Sequence, residues 1–289
     1  MFAVMGVTGR VGGAVVRTLL ADGLPVRAIV RDAVKGEAFA AKGCEIAIGD
    51  LDNADALAAA FAGCEAAFVM LPSQFDPSPG FAEARAKIAV LREALAKGLL
   101  GKVVALSTIG ANATQPNLLN QLGLMEQALS DLGLPVTFLR AAWFMENAMW
   151  DVAPARETGV IQSYLQPLDR PVPMIATDDV GRTAAELLRE NWIGVRVVEL
   201  EAAERVSPNA IASAFAKTLQ RPVQAEIVPR ADWEGIFTGQ GMKNPAPRMQ
   251  MLDGFNEGWI DFADRGVKAR KGRISIEQAI AALVAKHAN

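Results

Sequence analysis

The stretch Gly6-Val-Thr-Gly9-Arg-Val-Gly12 directly follows the first apolar run of the chain and opens a segment with helical spacing. Gly6 permits a sharp turn, and Gly12 permits tight packing of the helix on the strand. Gly9 permits a diphosphate to approach the backbone closely. Free amides at the start of such a helix bind anions, including the diphosphate of a dinucleotide. The glycines are also compatible with a purely conformational role, but their position between a strand and a helix favours dinucleotide binding. The predicted cofactor contacts in this loop are Gly6, Thr8, Gly9, Arg10, Val11 and Gly12.

Short apolar runs alternate with helix-period segments through the first half of the chain. The predicted strands are Phe2–Met5, Pro25–Val30, Cys44–Ile48, Ala66–Leu71, Lys102–Leu106 and Pro135–Leu139. The predicted helices between them lie at about 10–22, 53–62, 80–97 and 119–132. Continuously apolar strands separated by helices are typical of a parallel sheet covered on both faces. The sequence therefore predicts an α/β fold with a Rossmann-type doubly wound parallel sheet.

The end of the second predicted strand, Ala28-Ile-Val-Arg31-Asp32, bears on the choice of dinucleotide. An acidic residue at this place binds the ribose hydroxyls of NAD, whereas an arginine accommodates the 2′-phosphate of NADP. Arg31 directly after the apolar run favours NADPH; a shift of one residue would place Asp32 there, so NAD stays possible. Asp50 and Leu51, after the third strand, either lie beside the adenine or form an ordinary strand-ending turn.

After Asn147 the pattern becomes less regular, with proline- and glycine-rich segments at 158–176 and 221–248. The expected elements are a helix at about 178–191, a strand at 195–200, a helix after Ser207-Pro208, and a terminal helix behind the capping box Ser275-Ile-Glu-Gln278. We therefore expect an NAD(P)-binding Rossmann domain over 1–150 and a mixed region over 151–289. Within the latter, about 174–220 returns to the sheet, and about 151–173 and 221–289 form a small α/β substrate-binding cap.

The chain resembles the NmrA-like atypical short-chain dehydrogenase/reductase family, in particular its quinone reductases and triphenylmethane-dye reductases. Besides the glycine loop and 28–32, the resemblance rests on Leu139-Arg-Ala-Ala-Trp-Phe-Met-Glu-Asn147, on Glu126 with Leu129 and Gly133, and on Thr177-Asp-Asp-Val-Gly181. It implies an NAD(P)-binding Rossmann domain and a small C-terminal substrate-binding domain, with the substrate held against the nicotinamide in the cleft between them. It also implies that Leu71 and Pro72 lie along the nicotinamide. By itself, a proline after a strand indicates a turn.

Two departures from the family bear on the chemistry. The wider superfamily commonly uses a Tyr-x-x-x-Lys pair, but the single tyrosine here, Tyr164, is followed four residues later by Leu168. Related reductases often carry Lys or His four residues before the glutamate that matches Glu126, and this chain has Leu122 there. Reduction of a simple ketone gains about 10²–10⁴-fold from a positioned acid. Hydride transfer to a quinone instead yields a delocalised anion, which can take its proton later from water. Hydride transfer to a cationic dye yields a neutral product.

The remaining candidates lie after the fifth and sixth strands, where ligands bind in open α/β sheets. Ser107 and Thr108 are predicted catalytic hydroxyls for a substrate carbonyl, or they satisfy a strand end. Asn147 is a third catalytic candidate and also a substrate contact. Trp143 and Phe144 suit a flat acceptor, or they are core packing.

These features predict an NAD(P)H-dependent reductase of quinone-like, azo or dye, or other conjugated electrophilic small molecules, with NADPH preferred. One alternative is a non-catalytic NAD(P)-binding redox sensor that signals to a protein partner. Another is a reductase or isomerase of a specific natural product that uses Ser107, Thr108 or bound water.

Composition excludes several other classes of protein. The 289 residues are 51% hydrophobic and carry a net charge of −3, which argues against wholesale disorder and against general nucleic-acid binding. Two cysteines and one histidine leave no disulfide framework and no predicted metal site. Neither a membrane span nor a secretory signal is expected, so we expect a cytoplasmic protein. Its acidic composition is compatible with a monomer or a homodimer.

Overall fold

The apolar runs of the first half form strands of one sheet, in a computed structural model that describes residues 1–287. These strands are β1 (Phe2–Val4), β2 (Val26–Val30), β3 (Glu45–Ile48), β4 (Ala66–Val69), β5 (Lys102–Thr108) and β6 (Val136–Ala141). Each starts and ends within two residues of the predicted strand. Most of their side chains are buried, and the short strand β3 is the exception. Burial of almost every residue is what a sheet with both faces covered requires.

Two later strands, β10 (Val195–Glu201) and β12 (Arg270–Lys271), extend this sheet to the order β12-β10-β6-β5-β4-β1-β2-β3. The portion β3-β2-β1-β4-β5-β6 has the Rossmann order, which confirms the predicted fold class. Strand β1 pairs in parallel with both β2 and β4, with Val4 opposite Ala28 on one side and Phe68 on the other. The winding of the chain therefore changes direction between β1 and β4, where ligands of such sheets bind.

The chain divides into two compact units. The first consists of Met1–Ala111, Leu119–Arg140 and Thr177–Val198, and the second of Asn112–Leu118, Ala141–Ala176 and Glu199–Asn289. The helices of the first unit are α1 (Arg10–Ala21), α2 (Ala33–Ala40), α3 (Ala54–Phe61), α4 (Ala82–Lys97), α5 (Asn120–Leu129) and α7 (Thr177–Arg189). Its core includes Phe61, Leu91 and Phe138, which are almost fully inaccessible to solvent.

Helix α2 was not expected from the sequence. Its interior Gly36 weakens the helical signal, yet a Cβ at Gly36 would lie 2.7 Å from the Ile46 side chain, so the close packing of α2 on β3 requires glycine there. Asp32 caps this helix by accepting a hydrogen bond from the Val34 amide at 3.0 Å.

A second glycine explains part of the Thr177-Asp-Asp-Val-Gly181 stretch. A Cβ at Gly181 would lie 2.3 Å from the Cβ of Ala14, so helices α1 and α7 pack together only because this position is glycine. Arg17 and Asp178 join the same two helices through an ion pair of 2.5 Å.

The second unit contains short strands and helices: β7 (Trp143–Phe144), α6 (Val152–Glu157), β8 (Val160–Ser163), β9 (Met174–Ile175), α8 (Pro208–Leu219), β11 (Gln224–Ile227), α9 (Trp233–Gly239), α10 (Ala246–Glu257) and α11 (Ile276–Lys286). Strand β7 pairs with β9, and β8 with β11.

The predicted caps at Ser207 and Ser275 are present, the latter as a complete capping box. The proline-rich segment 221–248 contains β11, α9 and the start of α10, so it is more ordered than its composition indicated. Among the described residues, no helix combines the length and apolar character needed to cross a bilayer.

Candidate functional site

The predicted cofactor residues of the first unit all lie at the carboxyl ends of neighbouring strands of the large sheet. The glycine loop follows β1, Arg31 follows β2, Asp50 and Leu51 follow β3, and Leu71 and Pro72 follow β4. Because β3, β2, β1, β4 and β5 are parallel neighbours, these carboxyl ends lie side by side. Ser107 and Thr108 complete the row at the end of β5.

The glycine loop makes the tight corner that its spacing predicted. Gly6 has a positive φ of 65°, and its carbonyl accepts a hydrogen bond from the Gly9 amide at 2.9 Å. A Cβ at Gly12 would lie 2.4 Å from the Gly6 oxygen and 2.6 Å from the Met5 oxygen, so no other residue fits at Gly12 without movement of the backbone. A Cβ at Gly9 would meet only the Gly6 oxygen, at 3.2 Å. Gly12 therefore holds the helix on the strand, and the exposed Gly9 leaves the corner open to a ligand.

The start of α1 is suited to an anion. Helix α1 has no acidic residue in its first turn, and Gly9 at the N-cap contributes no side-chain cap. The first amides of a helix have no carbonyl partner within the helix, and the helix dipole adds partial positive charge there. The corner therefore presents backbone donors without a Cβ in front of them.

The structure separates the two side chains that compete for cofactor choice after β2. The Asp32 carboxylate is engaged as the cap of α2. Arg31 is exposed, and its guanidinium has no hydrogen bond or ion pair to any residue of 1–287. Arg31 is therefore the side chain that remains available to a phosphate, whereas Asp32 already accepts a backbone hydrogen bond.

The residues after β3 and β4 are partly exposed or occupied by local contacts. Asp50 accepts a hydrogen bond from the Asp52 amide at 2.9 Å, which forms a tight turn, and Leu51 is buried beside it. Leu71 packs against the core of the first unit, and Pro72 is exposed. Their proposed roles against the adenine and the nicotinamide stay predictions.

Ser107 takes part in a buried polar cluster that the sequence did not reveal. Its hydroxyl donates a hydrogen bond of 2.5 Å to Glu126 Oε1. The same carboxylate accepts from Arg140, through Nε at 2.9 Å and Nη2 at 2.6 Å. Both charged side chains are nearly buried, with exposed fractions of 11% for Glu126 and 13% for Arg140. Since the Ser107 proton faces a carboxylate, Ser107 is poorly placed to donate it to a substrate as well.

Thr108 differs from Ser107. It is half-buried, and its side-chain hydroxyl makes no hydrogen bond within the described part of the chain. Of the two predicted hydroxyls, Thr108 is thus the one whose donor is available.

The predicted substrate residues Trp143, Phe144 and Asn147 lie in the second unit. Trp143 and Phe144 form β7 and are both half-buried. The Trp143 ring meets the ring of Phe255 edge to face, with centroids 5.2 Å apart. Asn147 is exposed in the 3-10 segment Met145–Asp151. Trp143 therefore combines core packing with partial exposure, and Asn147 is open to solvent.

Asp151, at the end of the same segment, was not singled out from the sequence. Burial raises the pKa of its carboxyl group to about 7, and its side chain makes no hydrogen bond within residues 1–287. A carboxyl group that is removed from water without a partner favours its neutral form.

Comparisons with known proteins identify the family. The NmrA-like family profile matches residues 1–258. An NAD(P)H azoreductase of Xenophilus azovorans is 28% identical over 259 residues, covering 89% of this chain and 85% of the relative. Quinone oxidoreductase 2 of Escherichia coli (strain K12) is 25% identical over 275 residues, covering 94% and 89%. The structure of Citrobacter sp. triphenylmethane reductase complexed with NADP(H) superposes with a TM-score of 0.80 at 19% identity, covering 98% of this chain and 99% of that one. With the glycine corner and the Rossmann strand order, these matches show that the chain belongs to the NmrA-like family.

Proposed function

We propose that this protein is an NAD(P)H-dependent reductase that transfers hydride from NADPH to a quinone-like, azo or dye, or other conjugated electrophilic small molecule. The single observation that carries the proposal is the β1–α1 corner. There Gly12 fits only as glycine and Gly9 leaves the first turn of α1 uncovered. A diphosphate bound at this corner places the dinucleotide across the point where the sheet changes its direction of winding.

The preference for NADPH rests on Arg31 and Asp32. A guanidinium without a protein partner is ready for bidentate contact with a 2′-phosphate. The carboxylate that would bind the ribose hydroxyls of NAD is engaged as a helix cap instead. NAD stays possible, because the glycine corner contacts only the diphosphate, which both cofactors share. It is the weaker alternative because of Arg31 and Asp32.

The acceptor class is supported by the relatives and by the available proton donors. The two curated relatives are named as reductases of azo compounds and of quinones. This chain lacks the Tyr-x-x-x-Lys pair, and Ser107 directs its proton to Glu126. Aligning the donor and the acceptor is enough for an acceptor whose reduced form is a delocalised anion or a neutral molecule. The cofactor supplies the hydride, and the protein orients both partners.

In this proposal the cofactor contacts belong to the first unit, and the aromatic acceptor contacts belong to the second. Leu71 and Pro72 lie along the nicotinamide. Thr108 and Asn147 are the hydrogen-bonding candidates for the acceptor, with Trp143 and Phe144 as the aromatic surface. The proposal takes the protein to act in the cytoplasm as a monomer or homodimer.

The test is a turnover assay with NADPH and a panel of quinones, azo dyes and cationic dyes, followed by the absorbance of the reduced cofactor. We expect oxidation of NADPH with at least one acceptor class. Asn147→Ala is expected to change turnover without changing the affinity for NADPH. Tight binding that distinguishes NADP⁺ from NADPH, with no turnover of any acceptor, would reject the reductase and support the redox sensor.

A further inference from the structure

Helix α10 carries an arginine on its buried face. Arg248, Met251, Leu252 and Phe255 follow the i, i+3, i+4, i+7 spacing that aligns side chains on one side of a helix. Met251, Leu252 and Phe255 are buried, and Arg248 is half-buried at the N-terminal end of the same stripe. Packing alone would favour an apolar residue at Arg248, so the charge at this position needs another explanation.

Aromatic groups surround the Arg248 guanidinium, and no carboxylate of residues 1–287 forms an ion pair with it. Its central carbon lies 4.3 Å from the centre of the Phe237 ring, in the cation–π arrangement. The Tyr164 ring lies 5.2 Å from the same Phe237 ring. Within residues 1–287 the only hydrogen-bond acceptor of Arg248 is the sulfur of Met242, at 3.6 Å from Nη1. The Tyr164 hydroxyl makes no hydrogen bond in that part of the chain.

Two other arginines of the second unit, Arg205 and Arg230, are paired with carboxylates. Arg205 contacts both carboxylate oxygens of Asp261, at 2.9 and 2.7 Å. Arg230 also stacks on an aromatic ring, that of Trp233 at 4.7 Å, and it too contacts both oxygens of its carboxylate partner, Asp253. Arg248 shares the stacking of Arg230, but no carboxylate in the described part of the chain contacts both of its guanidinium nitrogens in this way.

A partly desolvated cation without an anion is unfavourable. Burial lowers the pKa of Arg248, and the nearby Tyr164 offsets this only in part. A guanidinium nevertheless keeps its charge in proteins. An anion that reaches it gains a charge-assisted hydrogen bond without displacing an existing ion pair.

Helix α10 also connects Arg248 with the predicted acceptor surface. Phe255, the edge-to-face partner of Trp143, lies two turns after Arg248 on the same face, about 10 Å along the helix axis. Pro247, next to Arg248, accepts a hydrogen bond of 2.9 Å from the Leu118 amide, which ends the loop that follows β5 in the chain.

We propose that Arg248, the Tyr164 hydroxyl and the face of Phe237 form a subsite for a carboxylate or sulfonate carried by a flat aromatic acceptor. The guanidinium and the hydroxyl donate hydrogen bonds to the oxyanion, and the aromatic face excludes water beside it. The inference rests on the proposed reductase function in one respect only, that the ligand is the acceptor.

The test measures binding and needs no hydride transfer. Protein saturated with NADP⁺ is titrated in a calorimeter with naphthalene-2-sulfonate and with the neutral isostere naphthalene-2-sulfonamide. We expect the sulfonate to bind about 10- to 100-fold more tightly, the size of one charge-assisted hydrogen-bonded pair. Arg248→Gln should remove this preference and leave the affinity for the sulfonamide unchanged. Tyr164→Phe should reduce the preference by a few-fold.

Arg230→Gln is the matched control, because it removes the same charge and the same type of stacking from a paired arginine. It should keep the full preference for the sulfonate. Equal affinity of the two probes for the unmodified protein, no binding of the sulfonate, or equal loss of both probes in Arg248→Gln would overturn the subsite. If Arg248→Gln does not fold, Arg248→Met, which keeps the length of the side chain without its charge, replaces it with the same expected loss of preference. Absence of turnover with every acceptor would reject the reductase and leave this result standing.

Discussion

Arg140 contacts both carboxylate oxygens of Glu126, through Nε at 2.9 Å and Nη2 at 2.6 Å. The two residues lie on different elements, α5 and β6, and Ser107 of β5 donates to the same carboxylate. The cluster therefore ties a helix to two strands beside the end of the sheet where the cofactor residues lie. Both charged side chains are nearly buried, and their pairing offsets part of the cost of burying them.

Glu126→Gln should destabilise the protein, because it removes the carboxylate that pairs with the nearly buried Arg140 guanidinium and accepts a hydrogen bond from Ser107. We expect a loss of about 3 kcal/mol in the free energy of unfolding, measured by urea denaturation. Asp22→Asn, which breaks the exposed pair between Asp22 and Arg189, should cost less than about 1 kcal/mol. Equal effects of the two changes would contradict a structural role for the buried pair.

Thr108→Val should lower kcat/KM for the acceptor more than Ser107→Ala does, because only Thr108 has a hydroxyl free to donate to the substrate. We expect about a tenfold loss for Thr108→Val, the value of one hydrogen bond, and a smaller loss for Ser107→Ala together with reduced stability. Steady-state kinetics at saturating NADPH measure both. The reverse order would restore Ser107 as the catalytic hydroxyl.

Arg31→Ala should weaken NADPH by about 10- to 100-fold, since it removes a bidentate contact to the 2′-phosphate. The affinity for NADH should change by less than about twofold, because NADH carries no phosphate there. Asp32→Ala is the control: it removes a helix cap and about 1 kcal/mol of stability, and the preference for NADPH should remain. Equal losses for the two cofactors in Arg31→Ala would contradict this role.

Gly9→Ala and Gly12→Ala should separate binding from folding at the same corner. Gly9 has an ordinary φ of −88°, and an added Cβ meets only one atom, at 3.2 Å. Gly9→Ala should therefore fold, with a smaller loss of Tm than Gly12→Ala, and bind NADPH at least tenfold more weakly, because the methyl group blocks the diphosphate. Gly12→Ala should lower the Tm itself, since its Cβ would overlap backbone atoms. Unchanged NADPH affinity in Gly9→Ala would remove the diphosphate from this corner.

The part of the fold that could be predicted from sequence is the part encoded by local patterns. Buried strands such as β5 read as apolar runs, and the Ser275 capping box and the glycine corner depend on residues only a few positions apart. Helix α2 was missed because Gly36, which it needs for packing against Ile46, is also what weakens its helical signal.

The candidate site was predictable only in its cofactor half, for the same reason. The glycine loop and Arg31 follow strands whose order could be inferred. The Glu126–Arg140 pair and the Arg248–Tyr164–Phe237 group join residues from different elements, so no local spacing reveals them. Ser107 shows the consequence: a hydroxyl at a strand end indicated chemistry, and its partner on another element gives it a structural contact.

The stability of the protein should fall as the pH rises from about 4 to 7, through the contribution of Asp151. Burial raises the pKa of its carboxyl group to about 7 in the folded state, whereas an unfolded aspartate ionises near pH 4. In that interval the folded state binds one proton more than the unfolded state. The free energy of unfolding therefore falls with rising pH, by at most about 1.4 kcal/mol per pH unit.

Asp151→Asn should remove this fall. The free energy of unfolding of the variant, measured by urea denaturation, should therefore rise relative to that of the unmodified protein between pH 4 and 7. Glu83→Gln is the control of opposite sign, because a hydrogen bond from Ser78 lowers the pKa of Glu83. Glu83→Gln should lower the free energy of unfolding at neutral pH, where the carboxylate is ionised. In acid, where the carboxylate is protonated, the substitution should have little effect. A constant difference between Asp151→Asn and the unmodified protein across this interval would mean that the pKa of Asp151 is the same in the folded and unfolded states, and that water or a counter-charge compensates its burial.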